Sequence, residues 1–596
     1  MSATNRFYTL NAIPPRLVSI GFIIITLSLF TFTYMARVSY AGGDARFSLL
    51  TAQAIIEHGT IQLDQYGLEV NGSQLREHNG RLYYYFPLGT PLFSVPFVWL
   101  ANQFGFNMLK GIDDAALQHL LSAVTCVLIY GLLFAIGRKF LNPAWSLIVT
   151  TTTLFGSSLI STLGTALWNL NYSTLFILLA IWLWLNLSDQ SGWQDWRLYL
   201  LGFALFGAFI CRPTTAPFIG LLLGYMLLWQ RRHLWPTAIT AALFLGGWLL
   251  FNQAQYGQLL APYYLPNRLQ TSTATGDPTL IAIYGQLFSP SRGIFIFSPF
   301  FLLILGGIIG RFNPRRNNRL TFFSLIWLVS HIIIVSLGDS VPWWGGHSYG
   351  SRFLTDVIPA LFLLSVIFFQ EIETGRLSPR ISLSFITIYL LLGTFAVFAN
   401  SVQGLYNGNT ARWNGTLLVP DPGLNRDYLF GWRYPQFLAF KGNLCERHEE
   451  FVWQNTAQRP QPYTIGTAIS YQAPSTQATF IGWSKPQNGW RWSECPNHTL
   501  LFGPLSQTQA NNAQLTITIS SQTPQSFPII LNGTRIGDIT IPAPSTQPQP
   551  YQISIPNNLL STNTSNRLEF HLSSIDNLLG DPHIQGLRFS SFSITE

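Results

Sequence analysis

The residues of this chain that could do chemistry gather in a few short, mostly uncharged stretches. The stretch GGDARF (42–47) carries Asp44 and Arg46. It is followed by AQAIIEHGTIQLDQYG (52–67), with Glu57, His58 and Asp64, and by NGRLYYYFPLGTP (79–91), with Arg81 and Tyr83 to Tyr85. Much later come LFSPSRGIFIFSP (287–299), with Arg292, and LGDSVPWWGGHSYGSRFLTD (337–356), with Asp339, Trp343, Trp344, His347, Arg352 and Asp356. A carboxylate partly withdrawn from water can accept a proton from a hydroxyl. A guanidinium meets phosphate oxygens with two parallel hydrogen bonds. Aromatic rings stack on sugars or line apolar grooves.

The background makes these groups conspicuous. Of 596 residues, 48% are hydrophobic, 15% aromatic and only 10% charged, and the mean hydropathy is +0.27. Soluble domains carry roughly 25% charged residues, so this composition belongs to lipid. A net charge of +8 does not point to nucleic acid, because the basic residues fall where membrane topology would place them. Four cysteines are too few for a disulfide scaffold. Cys126 and Cys211 lie in apolar runs, whereas the pairing of Cys445 with Cys495 stays open.

Apolar runs long enough to cross a bilayer recur up to residue 400. They predict about eleven spans, near 16–36, 116–137, 143–163, 172–188, 197–213, 214–230, 234–253, 293–310, 320–337, 354–370 and 381–400. The first reads as a retained anchor, since no small-residue cleavage site follows it. Short loops such as QRRH (230–233) and RFNPRRNNR (311–319) are dense in arginine and mark the cytoplasmic side. The N-terminus is then inside, and an odd number of spans puts everything after residue 400 outside. Residues 88–104, interrupted by Pro91 and Pro96, would reverse that sidedness if counted as a span. They read instead as a juxtamembrane or re-entrant helix within a large first outer loop, 37–115.

Beyond residue 400, residues 401–459 connect to a region of different composition at 460–596. Leu515, Ile517 and Ile519 alternate with Thr516 and Thr518, and Asn532-Gly533 marks a tight hairpin. YQISIP, NRLEFHLSS and LRFSSFSIT continue the strand pattern, so a β-sandwich of jelly-roll type is expected. Its role stays open between holding a glycan acceptor and covering the reaction chamber.

Charges beside or within a membrane are costly and usually functional. Each nevertheless has a structural reading. Asp44 could cap a helix, Arg352 could pair with Asp339 or Asp356, Trp343 and Trp344 could belong to an interfacial belt, and Arg212 could snorkel or form an ion pair. Glu57 and Asp64 read as solvated loop charges. No phosphate-binding loop of the GxxxxGK[ST] type, no HExxH and no GxSxG occurs. An enzyme working at the outer face would need an activated substrate delivered through the membrane, and a lipid phosphate sugar meets that need.

Several of these stretches, together with LGTALWNLNYS (163–173), carry a resemblance. Residues 16–400 resemble the GT-C superfamily of polytopic glycosyltransferases that use polyprenyl-phosphate sugars. They are most similar to bacterial proteins of the glycosyltransferase family 39 type, the protein mannosyltransferases and aminoarabinose transferases. The outer GWSKPQNGWRWS (482–493) and the strands after it resemble the jelly-roll tails of some such proteins. The resemblance implies an inverting transfer to an extracytoplasmic acceptor (glycan, lipid or protein) at the bacterial inner membrane, with Asp44 as general base. Ala45 stands where many relatives have a second acid, and Phe86 where many have lysine. Metal use, a divalent ion included, is therefore open, and Arg81, Arg292 and Arg352 become the candidates for the donor phosphate. Arg46, Tyr85, Trp343, Trp344 and His347 are the substrate-binding candidates. The rival readings are a polysaccharide polymerase or ligase using diphosphate-linked donors, and a lipid or polysaccharide transporter.

Overall fold

The computed structural model describes residues 13–69, 74–264, 278–310, 319–337, 343–414, 427–440, 444–447, 460–474, 476–483, 489–492, 495, 497–506, 513–521, 523–545, 547–572 and 587–595. The chain forms two compact units. One comprises 1–411 and 426–437, and the other 412–425 and 438–596.

The first unit is helical. Its helices are α1 (Pro15–Tyr34), α2 (Ser48–His58), α3 (Gly89–Gln103), α4 (Gly111–Gly137), α5 (Pro143–Phe155), α6 (Ser158–Leu163), α7 (Asn169–Leu185) and α8 (Trp196–Cys211). They continue with α9 (Ala216–Trp229), α10 (Arg231–Tyr256), α11 (Thr279–Phe288), α12 (Ile294–Phe297), α13 (Phe300–Ile309), α14 (Arg319–Ser336), α15 (Ile358–Glu373) and α16 (Pro379–Val397). A small hairpin, β1 (Leu75–His78) and β2 (Arg81–Tyr84), lies between α2 and α3.

Each apolar run of the sequence is helical, and two of them break. The run 143–163 splits into α5 and α6, because Ser157 leaves the helix and its hydroxyl caps the backbone N–H of Leu159. The run 293–310 splits into α12 and α13 at Pro299, which has no N–H to continue the ladder. Helix α11 falls where the sequence predicts a loop.

Among the described residues, six helical stretches are long and apolar enough to cross a membrane: α1, α4, α10, α14, Arg352–Glu373 and Pro379–Tyr406. The other apolar helices are shorter, 10–17 residues. Leu17, Ile24 and Leu27 of α1 and Leu243 and Leu250 of α10 are exposed, an apolar outer surface that suits lipid. Residues 88–104 form α3, which is bolted to the end of α8 where Gly89 meets Cys211. A Cβ at residue 89 would lie 2.5 Å from the Cys211 nitrogen.

The second unit holds two antiparallel five-stranded sheets that share one core. Its strands are β3 (Ala468–Ser470), β4 (Ala478–Ile481), β5 (Arg491–Trp492), β6 (Asn497–Phe502), β7 (Gln514–Ser521), β8 (Gln525–Leu531), β9 (Thr534–Ile541), β10 (Gln549–Ser554), β11 (Asn566–His571) and β12 (Leu587–Thr595). One sheet runs β10-β7-β12-β3 with β5 also on β12, and the other runs β4-β6-β11-β8-β9. Leu515, Ile517 and Ile519 of β7 face Phe527, Ile529 and Phe570 of the opposite sheet across that core. Asn532 and Gly533 turn β8 into β9 with φ of 50° and 81°, as the dipeptide predicts. Cys445 and Cys495 are joined in a disulfide, while residues 484–488 and 493 of GWSKPQNGWRWS lie outside the described residues.

Candidate active site

Between α1 and α2 the chain reverses in a turn laced to its neighbours. The N–H groups of Arg37 and Val38 donate to Leu405 O, and Tyr40 N–H donates to Thr165 O. Gly43 N–H returns to Tyr40 O at 2.8 Å, and a Cβ at residue 43 would sit 3.1 Å from that same oxygen. The Tyr84 hydroxyl donates to Asp44 O at 2.7 Å. Burial pushes this phenol well above its ordinary range, with the nearby Asp44 charge adding to the shift, so it stays a donor at neutral pH. Arg46 bonds Asp114 Oδ2 at 2.8 Å and Leu109 O at 3.1 Å, which ties the turn to the start of α4.

The segment from Trp343 onward takes its shape from three glycines at positive φ: Gly345 at 79°, Gly346 at 61° and Gly350 at 56°. Its organiser is Gln436, fully buried. The Gln436 amide accepts from Gly350 N–H at 3.1 Å and from Arg292 Nη1, and donates to Ser348 O at 3.0 Å and Thr410 O at 2.8 Å. Arg292, 2% exposed, also gives Nε to Trp344 O at 2.9 Å and Nη1 to Ser291 O at 3.0 Å. Arg292 therefore holds the tryptophan turn in place. Trp343 packs into Gly285 of α11, where a Cβ would lie 2.3 Å from its ring.

This scaffold carries Arg352 to Asp44. Arg352 Nη2 donates to Asp44 Oδ2, and its guanidinium carbon lies 3.9 Å from the centroid of the Trp168 ring. Nη1 makes a long bond to Gly345 O at 3.4 Å. The Arg352 side chain is 11% exposed and that of Asp44 33%, so the pair sits at an opening rather than in a sealed core. Among the described residues, no other side chain donates to the Asp44 carboxylate. On its other side Arg352 lines a small cavity with Gln286, Arg292, Trp344, Ser351 and Phe353.

A second ion pair lies one side chain away. Arg212 Nε donates to Asp356 Oδ2 at 2.6 Å, Thr214 Oγ1 donates to the same oxygen at 2.8 Å, and His331 Nε2 lies 4.0 Å from it. The Phe353 ring stands 5.9 Å from the Arg212 guanidinium and 6.0 Å from that of Arg352. Asp356 is thus the partner of Arg212, which leaves Arg352 to Asp44.

Of the sequence candidates, Asp44, Arg352, Trp344 and Arg292 converge around this opening and its cavity. Trp343, as buried as Trp344, lines the cavity with them. Tyr85 packs with Phe86 and Tyr263, under the Arg76 guanidinium. Arg81 is exposed at the turn end of the hairpin, opposite His78, and His347 is exposed on its loop. Glu57 accepts from Gln53 and Tyr66, and Asp64 Oδ1 accepts from Leu82 N–H, so neither is merely solvated. Asp339 lies outside the described residues. Sequence reasoning missed Trp168, Gln436 and Ser351, and it read Tyr84 as a stacking or groove-lining ring, whereas its hydroxyl holds the main chain of Asp44. Trp168 was visible as the indole inside LGTALWNLNYS, whereas nothing local distinguishes Gln436. Among the described residues no group of three or more His, Cys, Asp or Glu converges as a metal site.

No family model and no curated protein matches the sequence. Among solved structures, ArnT from Cupriavidus metallidurans bound to undecaprenyl phosphate is similar over 76% of this chain and 83% of that one, at 14% identity and a TM-score of 0.41. The CBM36-1 domain of a xylanase from the hindgut metagenome of Trinervitermes trinervoides is similar over 22% of this chain and 96% of its own length, at 12% identity and a TM-score of 0.16. A family 43 arabinoxylan arabinofuranohydrolase from Bacillus subtilis is similar over 23% of this chain at 9% identity and a TM-score of 0.17, and this chain spans 28% of its length.

Proposed function

We propose that this chain is a multi-pass membrane glycosyltransferase of the GT-C type, moving a sugar from a polyprenyl-phosphate carrier to an extracytoplasmic acceptor. One observation carries the reading. Residues 308 positions apart bring a half-open carboxylate and a guanidinium together on an indole face, beside a cavity and within a lipid-suited helical unit. That arrangement supplies a base and an anion holder at one opening.

In the proposed step an acceptor hydroxyl donates its hydrogen bond to Asp44. As the proton passes to the carboxylate, the acceptor oxygen forms a bond to the anomeric carbon. The bond from that carbon to the phosphate oxygen breaks, and polyprenyl phosphate leaves with the electron pair. Attack opposite the leaving group inverts the anomeric centre. Arg352 meets the negative charge that grows on the phosphate, which a positioned donor stabilises most strongly in a water-poor site. Tyr84 fixes the main chain at Asp44, and Arg292 and Gln436 fix the segment that delivers Arg352. The arginine distribution supports an opening on the extracytoplasmic side.

The test is transfer by the purified full chain, supplied with monophosphate- and diphosphate-linked polyprenyl sugars. Asp44→Asn should fold and lose roughly 10²–10⁴ in rate. Undiminished transfer by that variant would remove Asp44 as the base. Use of only the diphosphate donor would favour a polymerase or ligase.

A further inference from the structure

Two helix breaks of the membrane unit converge on one side chain, that of Asn400. Asn400 is 1% exposed and lies in Phe398–Gln403, a π-helical turn that continues α16. Its Nδ2 donates to Gly156 O at 3.1 Å, to Phe297 O at 2.9 Å and to Ala396 O at 3.1 Å, and its Oδ1 accepts from Ser161 Oγ at 3.1 Å. Gly156 stands at the break between α5 and α6, and Phe297 at the break between α12 and α13. Ser298 Oγ reaches the same Gly156 O at 2.7 Å, and Ser401 Oγ reaches Phe155 O at 2.7 Å. Irregular backbone among apolar membrane helices is tolerated where buried partners satisfy it. Single π turns are frequent at functional sites.

Each element that Asn400 holds continues into a wall of the Asp44 opening. Beyond Ser161, Thr165 O accepts the Tyr40 N–H of the Asp44 turn, and Thr165 Oγ1 accepts from Trp168 Nε1 at 3.3 Å. The Phe297 ring lies 5.3 Å from that of Tyr349 and backs Gly350, just ahead of Arg352. The π turn offers Ala399 O to the Tyr349 hydroxyl, and Leu405 O beyond it takes the N–H groups of Arg37 and Val38. We propose that Asn400 is a positioning residue for transfer, fixing the Asp44 turn, the Trp168 face and the Arg352 segment against one another. Buried as it is, it acts through these backbones and not on substrate. Gly156 O already has the Ser298 hydroxyl, so what Asn400 adds there is a link from α5 to α12 and α16. The inference rests on the glycosyltransferase reading and adds the residue that ties the base to the anion holder.

The experiment measures kcat and KM for transfer by the purified full chain. The proteins are wild type, Asn400→Leu, Ser161→Ala, Arg352→Lys, and each of the first two variants combined with Arg352→Lys. A small displacement of reacting groups by a distant change is costly, so Asn400→Leu should lose roughly 10- to 100-fold in kcat. Both KM values should stay within about threefold, because the substrate contacts are kept. Ser161→Ala, which frees only the amide oxygen, should fold normally and lose a few-fold in kcat. Asn400 and Arg352 act on one geometry, so each double variant should be about as slow as Arg352→Lys alone. A residue that only stabilises the fold would lower the amount of folded protein and multiply with Arg352→Lys. Multiplying effects, or wild-type kcat in folded Asn400→Leu, would overturn the proposal while leaving Asp44-dependent transfer intact. If Asn400→Leu does not fold, Ser161→Ala decides by the same two criteria. Absence of transfer by the wild type with both lipid donors would sink the glycosyltransferase reading, and the positioning role with it.

Discussion

The Arg352 guanidinium lies over the ring of Trp168, 3.9 Å from centroid to carbon, while its Nη2 reaches Asp44. The indole face holds the cation by electrostatic attraction to the ring, and the planar fork keeps one edge for the acid. Arg352→Lys keeps the charge but has no fork and stacks poorly, so transfer should fall at least tenfold. Trp168→Phe retains a weaker face and should cost only a few-fold, with Trp168→Leu costing more. Steady-state transfer rates on purified variants will decide. Equal activity of Arg352→Lys and wild type would mean the fork is not used.

Tyr84 offers a pH test. Its folded-state pKa is raised above the ordinary phenol value of about 10, chiefly by burial. The neutral form is therefore the one the fold stabilises. Its contribution is complete below about pH 10 and is lost only as pH climbs through the higher folded value. Tyr84→Phe should lower stability by about 1 kcal/mol through the lost bond to Asp44 O, without moving the pH–rate profile below about pH 9. An alkaline limb near pH 8 that disappears in Tyr84→Phe would contradict this.

Arg46 and Asp114 are separable by a double-mutant cycle. Asp114 is 1% exposed, so Arg46→Ala leaves a buried carboxylate without its cation. Removing one partner of a buried pair costs about 3–5 kcal/mol, and because the Arg46 side chain is 20% exposed the lower end is expected. Adding Asp114→Asn should recover much of the loss in detergent melting temperature. If Arg46→Ala instead melts like wild type and raises only KM, Arg46 touches substrate.

Gln436→Leu should be among the most damaging single changes in the helical unit. It removes the side-chain partner of Gly350 N–H, Ser348 O and Thr410 O in one step and leaves Arg292 Nη1 with Ser291 O alone of its two acceptors. A buried group left unsatisfied costs about 1–3 kcal/mol, so a loss of at least 3 kcal/mol is expected. Thermal unfolding measures it, and transfer should fall in parallel because Arg352 loses its register.

The Cys445–Cys495 disulfide closes a loop of 50 residues. Chain entropy alone assigns such a loop about 4 kcal/mol. Reductant, or Cys445→Ser with Cys495→Ser, should lower melting of the β unit. The helical unit, whose Cys126 and Cys211 are unbridged, should melt unchanged. An unaltered β-unit transition would show that the bridge adds nothing to stability.

Residue order alone carried local information. The helices along the apolar runs, the alternation of Leu515 to Ile519 and the Asn532-Gly533 hairpin all follow from interactions two to four residues apart. It also singled out Asp44 and Arg352, because an ionisable side chain at a membrane edge stands out against an apolar background. Their partners were settled by packing. Arg352 was open to Asp339, Asp356 or substrate, and the fold gave Asp356 to Arg212 and Asp44 to Arg352. Trp168 became a platform and Gln436 an organiser through contacts 184 and 86 residues from Arg352 and Gly350 respectively. No periodicity carries such information. Pairing between distant polar groups is settled by helix packing, which brings a few of many chemically equivalent candidates within bonding distance.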